Sequence, residues 1–289
     1  MIDKPGIYSI SETLYHSDPC PQPSLSASIA KIVYDKSCHH AWIKHPALNP
    51  EREEEHDNKF DLGSAAHRVL LCGGYNGIAF IAADDYRTKA AKAARDAAYE
   101  DGMIPMLQKD AERLNQMSST AMGFLAKTEL SGILADGKPE QAIIAQYKGV
   151  WLRGLVDWLP TGRGVILDYK TTLGSSKPDH WIRNQLIPLG YDIQAYMYVL
   201  LNELTGGPKD AKFVFLVQEN YEPYACSLVG AGPSIMASGK MKVDIAISHW
   251  RWCLENDEWP GYGYKIAWAE APAWTLAEAE MRAGEVDNE

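Results

Sequence analysis

Gly154-Leu-Val-Asp157, followed after ten residues by Asp168-Tyr-Lys170-Thr-Thr172, is the stretch that decides the fold of this chain. An apolar run leads into Asp168, and residues 151–159 form a second strand-like run that contains Asp157. The segment Thr161-Gly-Arg-Gly164 between them is typical of a tight hairpin connection. The pattern therefore predicts two adjacent strands that bring two carboxylates and a lysine to one point.

Charged side chains on such apolar strands need compensation. Burying an unpaired charge costs several kcal/mol or more, so either a bound cation or a salt bridge must accompany Asp168 and Lys170. A divalent metal held by Asp157 and Asp168, with Lys170 alongside, is suited to cutting phosphodiesters. A purely structural Asp–Lys pair between two strands is the alternative, and these residues alone do not decide between the two.

Length and composition bound the class of protein. The chain has 289 residues, of which 46% are hydrophobic and 23% are charged, as in ordinary globular proteins. No apolar run approaches 18 residues and the N-terminus lacks a signal-peptide pattern, so we expect no membrane span and a cytoplasmic protein. We expect a single domain over residues 1–289, with an N-terminal segment (1–56), a core (57–256) and a C-terminal wrap with an acidic tail (257–289).

The cysteines exclude two kinds of site. Five cysteines are scattered without a CxxC pair. This pattern argues against a disulfide framework and against a zinc or iron–sulfur site. We therefore expect reduced, structural thiols.

The charge balance is acidic but uneven. The net charge is −10, whereas phosphate contacts require lysine and arginine. Acidic residues concentrate in residues 51–57 and from Glu270 onward, where six acids accompany one base. Basic residues gather in two clusters, which are either DNA contacts or ordinary solvated helix faces: Lys31, Lys36, His39, His40, Lys44 and His45, and then Arg87, Lys89, Lys92 and Arg95. The balance neither proves nor excludes a nucleic-acid partner.

Hydrophobic periodicity predicts a single α/β domain with a mixed sheet flanked by helices. Residues 1–24 are expected to be extended, and Ser26 or Ser28 to cap a helix over 29–34. The tail over 259–274 is expected to wrap the domain. The other predicted elements are helices over 60–72, 85–99 and 107–127, strands over 140–147, 151–159 and 164–170, a helix over 190–204, strands over 212–218 and 224–229, and a helix over 234–255.

Further polar residues fall at fixed places in this order. His67 lies four residues after Gly63 on an apolar helix, Glu140 opens the first strand, and Gln194 precedes Tyr198 by one helical turn. Taken singly, each residue also has a purely structural interpretation. His67 would be a hydrogen-bonded core histidine, Glu140 an exposed carboxylate at a strand end, and Tyr198 a packed tyrosine.

Together with the two aspartates and the lysine they form an ordered set, and this set resembles the RecB-type branch of the PD-(D/E)XK nuclease superfamily. Within that branch the chain is most similar to phage and prophage exonucleases of the exodeoxyribonuclease VIII (RecE) type. The resemblance runs from about Leu25 to Trp274.

The resemblance implies a role for each matching residue. Asp157, Asp168, the main-chain oxygen of Tyr169 and His67 would ligate Mg²⁺. Mn²⁺ should substitute, because histidine is an unusual ligand for a hard cation. The resemblance also implies that Glu140 holds a second metal or a metal-bound water.

The resemblance assigns the remaining roles to Lys170 and Gln194. Lys170 would position or deprotonate the attacking water or stabilise charge on the phosphorane, and Gln194 would orient Lys170 or the substrate. From the residues themselves, Arg153 lies an even number of positions from Asp157, so both are predicted to face the cleft with Arg153 as a phosphate clamp; a surface arginine is the alternative.

Departures from the family pattern are few. Val156 stands where the family usually has proline before the first acid. The cysteines do not match the iron–sulfur members, so no cluster is expected. No GxxxxGK[ST] motif is present, so a helicase fusion is not expected.

The resemblance implies a metal-dependent exonuclease on double-stranded DNA ends, in a bacterial or phage-infected cell. It also implies 5′-to-3′ resection that leaves a 3′ single strand for an annealing protein in phage-type recombination, and a ring-like homo-oligomer. An endonuclease of the same fold, a non-catalytic DNA-binding protein and a non-nuclease metalloenzyme are the other hypotheses.

Overall fold

A mixed β-sheet with helices on both faces forms the body of the protein. The computed structural model describes residues 1–52 and 61–286, with the side chains of 284–286 left aside. The strands are β1 (Gly6–Tyr8), β2 (Leu25–Ser26), β3 (Ile78–Ile81), β4 (Ile104–Leu107), β5 (Gly137–Tyr147), β6 (Val150–Pro160), β7 (Val165–Thr172), β8 (Lys212–Glu219) and β9 (Cys226–Gly230). The helices are α1 (Glu12–His16), α2 (Ala27–Asp35), α3 (Cys38–Lys44), α4 (Asp61–Leu71), α5 (Lys89–Glu100), α6 (Ala111–Leu125), α7 (Pro178–Trp181), α8 (Tyr191–Leu204), α9 (Pro233–Asn256) and α10 (Ala273–Val286).

The main sheet has the order β1-β5-β6-β7-β8-β9, and β2 pairs with β6. The three strands predicted over 140–147, 151–159 and 164–170 are β5, β6 and β7, which form an antiparallel meander. Strands β7 and β8 are parallel, because the chain between them crosses over through α8. This order confirms the predicted α/β class with a central mixed sheet.

Two hydrophobic cores lie on opposite faces of this sheet. Helices α2, α3, α8 and α9 cover one face, where Trp181, Trp250 and Phe213 are fully buried. Helices α4 and α6 cover the other face, through Leu114 and Met117. None of the helices in the described residues combines the length and the apolar character that a membrane crossing requires.

Several predicted boundaries shift in the structure. Helix α2 begins after Ser26, whose hydroxyl accepts the N–H of Ile29. The helix predicted over 107–127 begins at Ala111, because residues 104–107 pair with β3. The helix predicted over 85–99 begins at Lys89, where Thr88 caps it. The N-terminal segment is not wholly extended, since Ser11 caps the short helix α1. The start of the helix predicted over 60–72 lies outside the described residues.

The C-terminal tail, which was predicted to wrap the domain, contacts it near residues 259–262. Trp259 packs against Trp250, and the carbonyl of Pro260 accepts the N–H of His39. From 260 to 283 every residue is exposed, and 273–286 form the helix α10. Aromatic side chains favour burial, but their presence in the sequence does not determine whether the tail packs on its own domain.

Candidate metal and catalytic site

The candidate site lies where β6 and β7 separate. The two strands pair at Trp158 and Leu167. Next to this pair, the Asp157 side chain bridges the strands, since its Oδ2 accepts the main-chain N–H of Tyr169 at 2.8 Å. Along β6, Val156 and Leu159 pack in the same core while Trp158 packs in the other. The alternation of side chains therefore slips by one position at Asp157.

Strand β7 delivers the second carboxylate and the lysine. Asp168 is only 1% exposed, and Lys170 Nζ lies 2.6 Å from its Oδ2. Both side chains point toward α8, where Gln194 Nε2 donates to Asp168 Oδ1 at 2.7 Å. The predicted residues Lys170 and Gln194 thus both contact Asp168, each through a different carboxylate oxygen.

Helix α4 brings His67 to the same place. His67 Nε2 lies 2.8 Å from Asp157 Oδ2. One turn earlier, a Cβ on Gly63 would stand 2.8 Å from Thr171 Oγ1, so only glycine permits this approach of α4 to β7. Gly63 sets the distance at which His67 meets Asp157.

A second glycine sets the distance on the opposite face. A Cβ on Gly154 would stand 2.7 Å from the Tyr198 ring, which is buried against the strand. The close packing of Tyr198 on Gly154 fixes α8 against β6, and with it the position of Gln194.

Burial and mutual charge shift the pKa values of this cluster. Burial, and then Asp157, raise the pKa of Asp168 to about 6, against the influence of Lys170. Burial would also raise the pKa of Asp157, but His67 and Lys170 outweigh it and lower that pKa below its ordinary value. Burial would lower the pKa of Lys170, yet the two carboxylates raise it well above its ordinary value. The pKa of His67 is likewise raised, because Asp157 outweighs burial.

Glu140 lies beside this cluster in an ion pair. The register of β5 and β6 places it opposite Asp157, and its backbone is in the left-handed region with φ of 49°. Its Oε2 lies 3.2 Å from Arg68 Nη1, while Arg68 Nη2 lies 3.2 Å from Glu12. The sequence reasoning missed Arg68, although its position directly after His67 was a usable signal.

The side chain of Arg153, which was predicted to be a phosphate clamp or a surface arginine, is buried. Its Nη1 lies 3.1 Å from Asp18 and 2.6 Å from the Ser24 hydroxyl. Asp18 also contacts His45 at 3.2 Å, and all of these groups are shielded from solvent. Arg153 joins the N-terminal segment to β6. The even spacing between Arg153 and Asp157 did not predict which way Arg153 points, because the alternation of side chains along β6 slips at Asp157.

The donor set fits a hard divalent cation in its chemistry. The buried Asp168 carboxylate, the partly buried Asp157 carboxylate and one imidazole meet at the strand ends. Asp168 Oδ2 accepts no hydrogen bond of normal geometry from the described residues. No group of three His, Cys, Asp or Glu residues within 1–52 and 61–286 is arranged to hold a metal ion as it stands. His67 Nε2 and Asp157 Oδ2 contact each other directly, so a bound cation would have to replace this contact.

Comparison with known proteins identifies the same fold. A family model described as a PDDEXK-like domain of unknown function (DUF3799) matches residues 30–272. The crystal structure of a candidate exonuclease from Eubacterium rectale has a TM-score of 0.57 at 13% identity, covering 94% of this chain and 98% of that one. That of a phage-related exonuclease from Haemophilus somnus 129PT has a TM-score of 0.30 at 14% identity, covering 68% and 95%, and is too distant to bear on the fold. No curated protein matches.

Proposed function

Because the chain belongs to the family of PDDEXK-like domains of unknown function (DUF3799), we propose that it is a metal-dependent deoxyribonuclease that degrades linear double-stranded DNA from its ends. The observation that carries the proposal is the contact of Asp168 with both Lys170 and Gln194, one strand away from the Asp157–His67 pair. A structural Asp–Lys pair would explain the lysine, but it leaves the second carboxylate and the histidine without a purpose.

Oxygen ligands for the cation would come from Asp157, Asp168 and the main chain of Tyr169, with His67 as a fourth donor. When bound, a divalent cation would neutralise phosphate charge and make water a stronger acid. Glu140 would act at the edge of the site, where Arg68 now holds it. The number of protein ligands, and the combination of oxygen donors with one imidazole nitrogen, suit Mg²⁺ or Mn²⁺.

Lys170 acts as a fixed positive charge in this arrangement. The two carboxylates raise its pKa, so it is protonated near neutral pH. A protonated lysine donates hydrogen bonds and stabilises developing negative charge, but it does not accept a proton. Among the three roles open to it, charge stabilisation at the phosphate and orientation of the attacking water are favoured over deprotonation.

The finer parts of the proposal rest on the family resemblance. They are attack from the 5′ end, release of a 3′ single strand to an annealing protein during phage-type recombination, assembly into a ring-like homo-oligomer, and action in the cytoplasm. The acidic net charge of −10 would then call for a locally basic path to the site.

The proposal is tested with purified protein, end-labelled linear duplex and covalently closed circular DNA. We expect loss of the linear DNA alone, with Mg²⁺ or Mn²⁺ and not with EDTA, and labels on either end report the polarity. Cutting of the circle would favour the endonuclease, and binding without cleavage would favour the non-catalytic protein.

Two variants and one matched control assign the chemistry. Asp168→Asn and Lys170→Met should each reduce cleavage by at least about a hundredfold. Lys209→Met removes a lysine whose side chain is 87% exposed in the turn between α8 and β8, and it should cleave like the wild type. Full activity in Lys170→Met would show that the site is misplaced.

A further inference from the structure

Lys170 has an aromatic neighbour that its sequence context does not reveal. Its Nζ lies 5.1 Å from the centre of the Tyr191 ring, over the face of that ring. An ammonium group within about 6 Å of an aromatic face is attracted by the negative potential of the ring. Tyr191 is the first residue of α8, so it belongs to the same helix as Gln194.

One face of α8 contacts both charged groups of β7. Asp168 and Lys170 are two positions apart on a strand, so they point the same way. Tyr191 and Gln194 are three positions apart on a helix, so they share a face. Gln194 donates to Asp168, while the Tyr191 ring lies against Lys170. The higher-numbered strand residue meets the lower-numbered helix residue, as expected for a helix that returns the chain between two parallel strands.

The Tyr191 ring is itself held in place by buried aromatic side chains. It stacks on Trp181, with ring centres 5.7 Å apart and planes inclined by 17°, and its centre lies 5.9 Å from that of Phe215. Neither Trp181 nor Phe215 is exposed to solvent. The next residue, Asp192, is buried and lies 2.7 Å from Lys242 of α9, which fixes the first turn of α8. Tyr191 is therefore a rigid support.

A ring face holds an ammonium group differently from a carboxylate. In the part of the chain that the structure describes, Asp168 is the one carboxylate within ion-pair distance of Lys170 Nζ, at 2.6 Å. A carboxylate accepts charge-assisted hydrogen bonds from the ammonium group, whereas the ring attracts it without cancelling its charge. On ligating a cation, Asp168 would share its charge and hold Lys170 less firmly. The ring would still hold Nζ in place and leave its N–H donors free for phosphate oxygens.

We propose that Tyr191 is a positioning residue for Lys170, and that its ring, backed by Trp181, fixes the ammonium group where it stabilises charge on the attacked phosphate. This inference rests on the proposed nuclease function and deepens it, since it gives α8 the task of aiming the lysine as well as the carboxylate. The alternative is that the ring only fills space beside the lysine side chain. In that case any side chain of similar size at position 191 would serve equally well.

Steady-state cleavage of end-labelled linear duplex with Mg²⁺ tests the proposal with three variants. Tyr191→Phe keeps the ring and should cleave at nearly the wild-type rate. Tyr191→Met keeps much of the volume in a side chain that packs well against aromatic rings, and it should lower kcat by about tenfold or more with KM nearly unchanged. The control Tyr196→Met removes a half-buried tyrosine of the same helix, on the side that meets Gly239 of α9, and it should cleave like the wild type.

Two further measurements separate the aiming of the lysine from a general loss of structure. In the Lys170→Met background, Tyr191→Met should cost nothing further, because Tyr191 acts through the lysine. In EDTA, the ε-methylene protons of ¹³C-labelled Lys170, identified by their loss in Lys170→Met, should resonate upfield of the position typical of exposed lysines, because they lie over the ring. They should move back downfield in Tyr191→Met and stay upfield in Tyr191→Phe.

The outcomes distinguish this inference from the function on which it rests. A wild type without metal-dependent cleavage would overturn the proposed function, and the inference with it. With an active wild type, the inference alone is overturned if Tyr191→Met cleaves equally well, if Tyr191→Phe is as poor as Tyr191→Met, or if the losses in Tyr191→Met and Lys170→Met multiply. Unshifted Lys170 resonances in the wild type would also overturn it, even if Tyr191→Met failed to fold.

Discussion

Replacement of Gly63 by alanine tests whether the approach of α4 to β7 sets the geometry of the site. The new Cβ would stand 2.8 Å from Thr171 Oγ1, whereas ordinary van der Waals contact begins at 3.4 Å. Unless Thr171 turns its hydroxyl away, helix and strand must separate by about 0.6 Å or more. His67 lies one turn further along α4, so its 2.8 Å contact with Asp157 would lengthen beyond good hydrogen-bond geometry.

The two consequences of this shift differ in size. Overpacking costs about 1–3 kcal/mol, while alanine in place of glycine within a helix returns about 1 kcal/mol. The free energy of unfolding should therefore fall by about 2 kcal/mol at most. Misplacement by about 1 Å in a catalytic site costs on the order of a hundredfold in rate, so Gly63→Ala should reduce cleavage of linear duplex by about ten- to a hundredfold.

A double-mutant cycle separates the clash from other effects. Thr171→Ala removes the Oγ1 atom that the new Cβ would meet, and no side-chain hydrogen bond of Thr171 is seen among the described residues. Alone it should therefore leave the cleavage rate nearly unchanged. Combined with Gly63→Ala it should restore most of the activity. Thr171→Val keeps an atom at the same place and should not rescue. The reasoning would be refuted by full activity in Gly63→Ala, or by a double variant as poor as the single one.

Three further predictions concern charge. Arg153→Met should lower the free energy of unfolding in urea by about 3–5 kcal/mol, because it leaves the buried Asp18 carboxylate without its arginine partner; a stable variant with weakened DNA binding would support the phosphate-clamp role. The raised pKa of Asp168, about 6 against an ordinary 3.8, means that its contribution to stability is present below pH 4 and is lost as pH rises to 6. In EDTA the stability of the wild type relative to Asp168→Asn should therefore fall by about 3 kcal/mol over that range, and a pH-independent difference in urea melts would contradict this. Arg68→Gln should change stability by less than about 1 kcal/mol, since its ion pairs are partly exposed. By freeing Glu140 it should also lower the Mg²⁺ concentration for half-maximal cleavage, and a raised requirement would show that Arg68 assists the site.

The amino-acid sequence alone was sufficient to predict the main helices and the strands that carry the acids, but not α1, α3 or the β3–β4 pair. Strand alternation, helical periodicity and caps such as Ser26 depend on residues close together along the chain, so they can be recognised without the fold. The same locality explains why the residues from Asp157 to Lys170 could be assigned to two adjacent strands. The family match over 30–272 agrees with that reading of the motifs.

The tertiary structure decided what those residues touch. Only the distribution of the β6 side chains between the two cores reveals the slip at Asp157. Only the fold shows that Arg153 forms an ion pair with Asp18 and that Gln194 donates a hydrogen bond to Asp168. The C-terminal tail is the clearest case, because the aromatic composition of residues 259–274 did not show that residues 260–283 are exposed in the fold. Contacts between residues far apart in the chain depend on how closely the helices and strands pack, and a change of a few tenths of an ångström in that spacing makes or breaks them. No local pattern in a single sequence encodes this spacing.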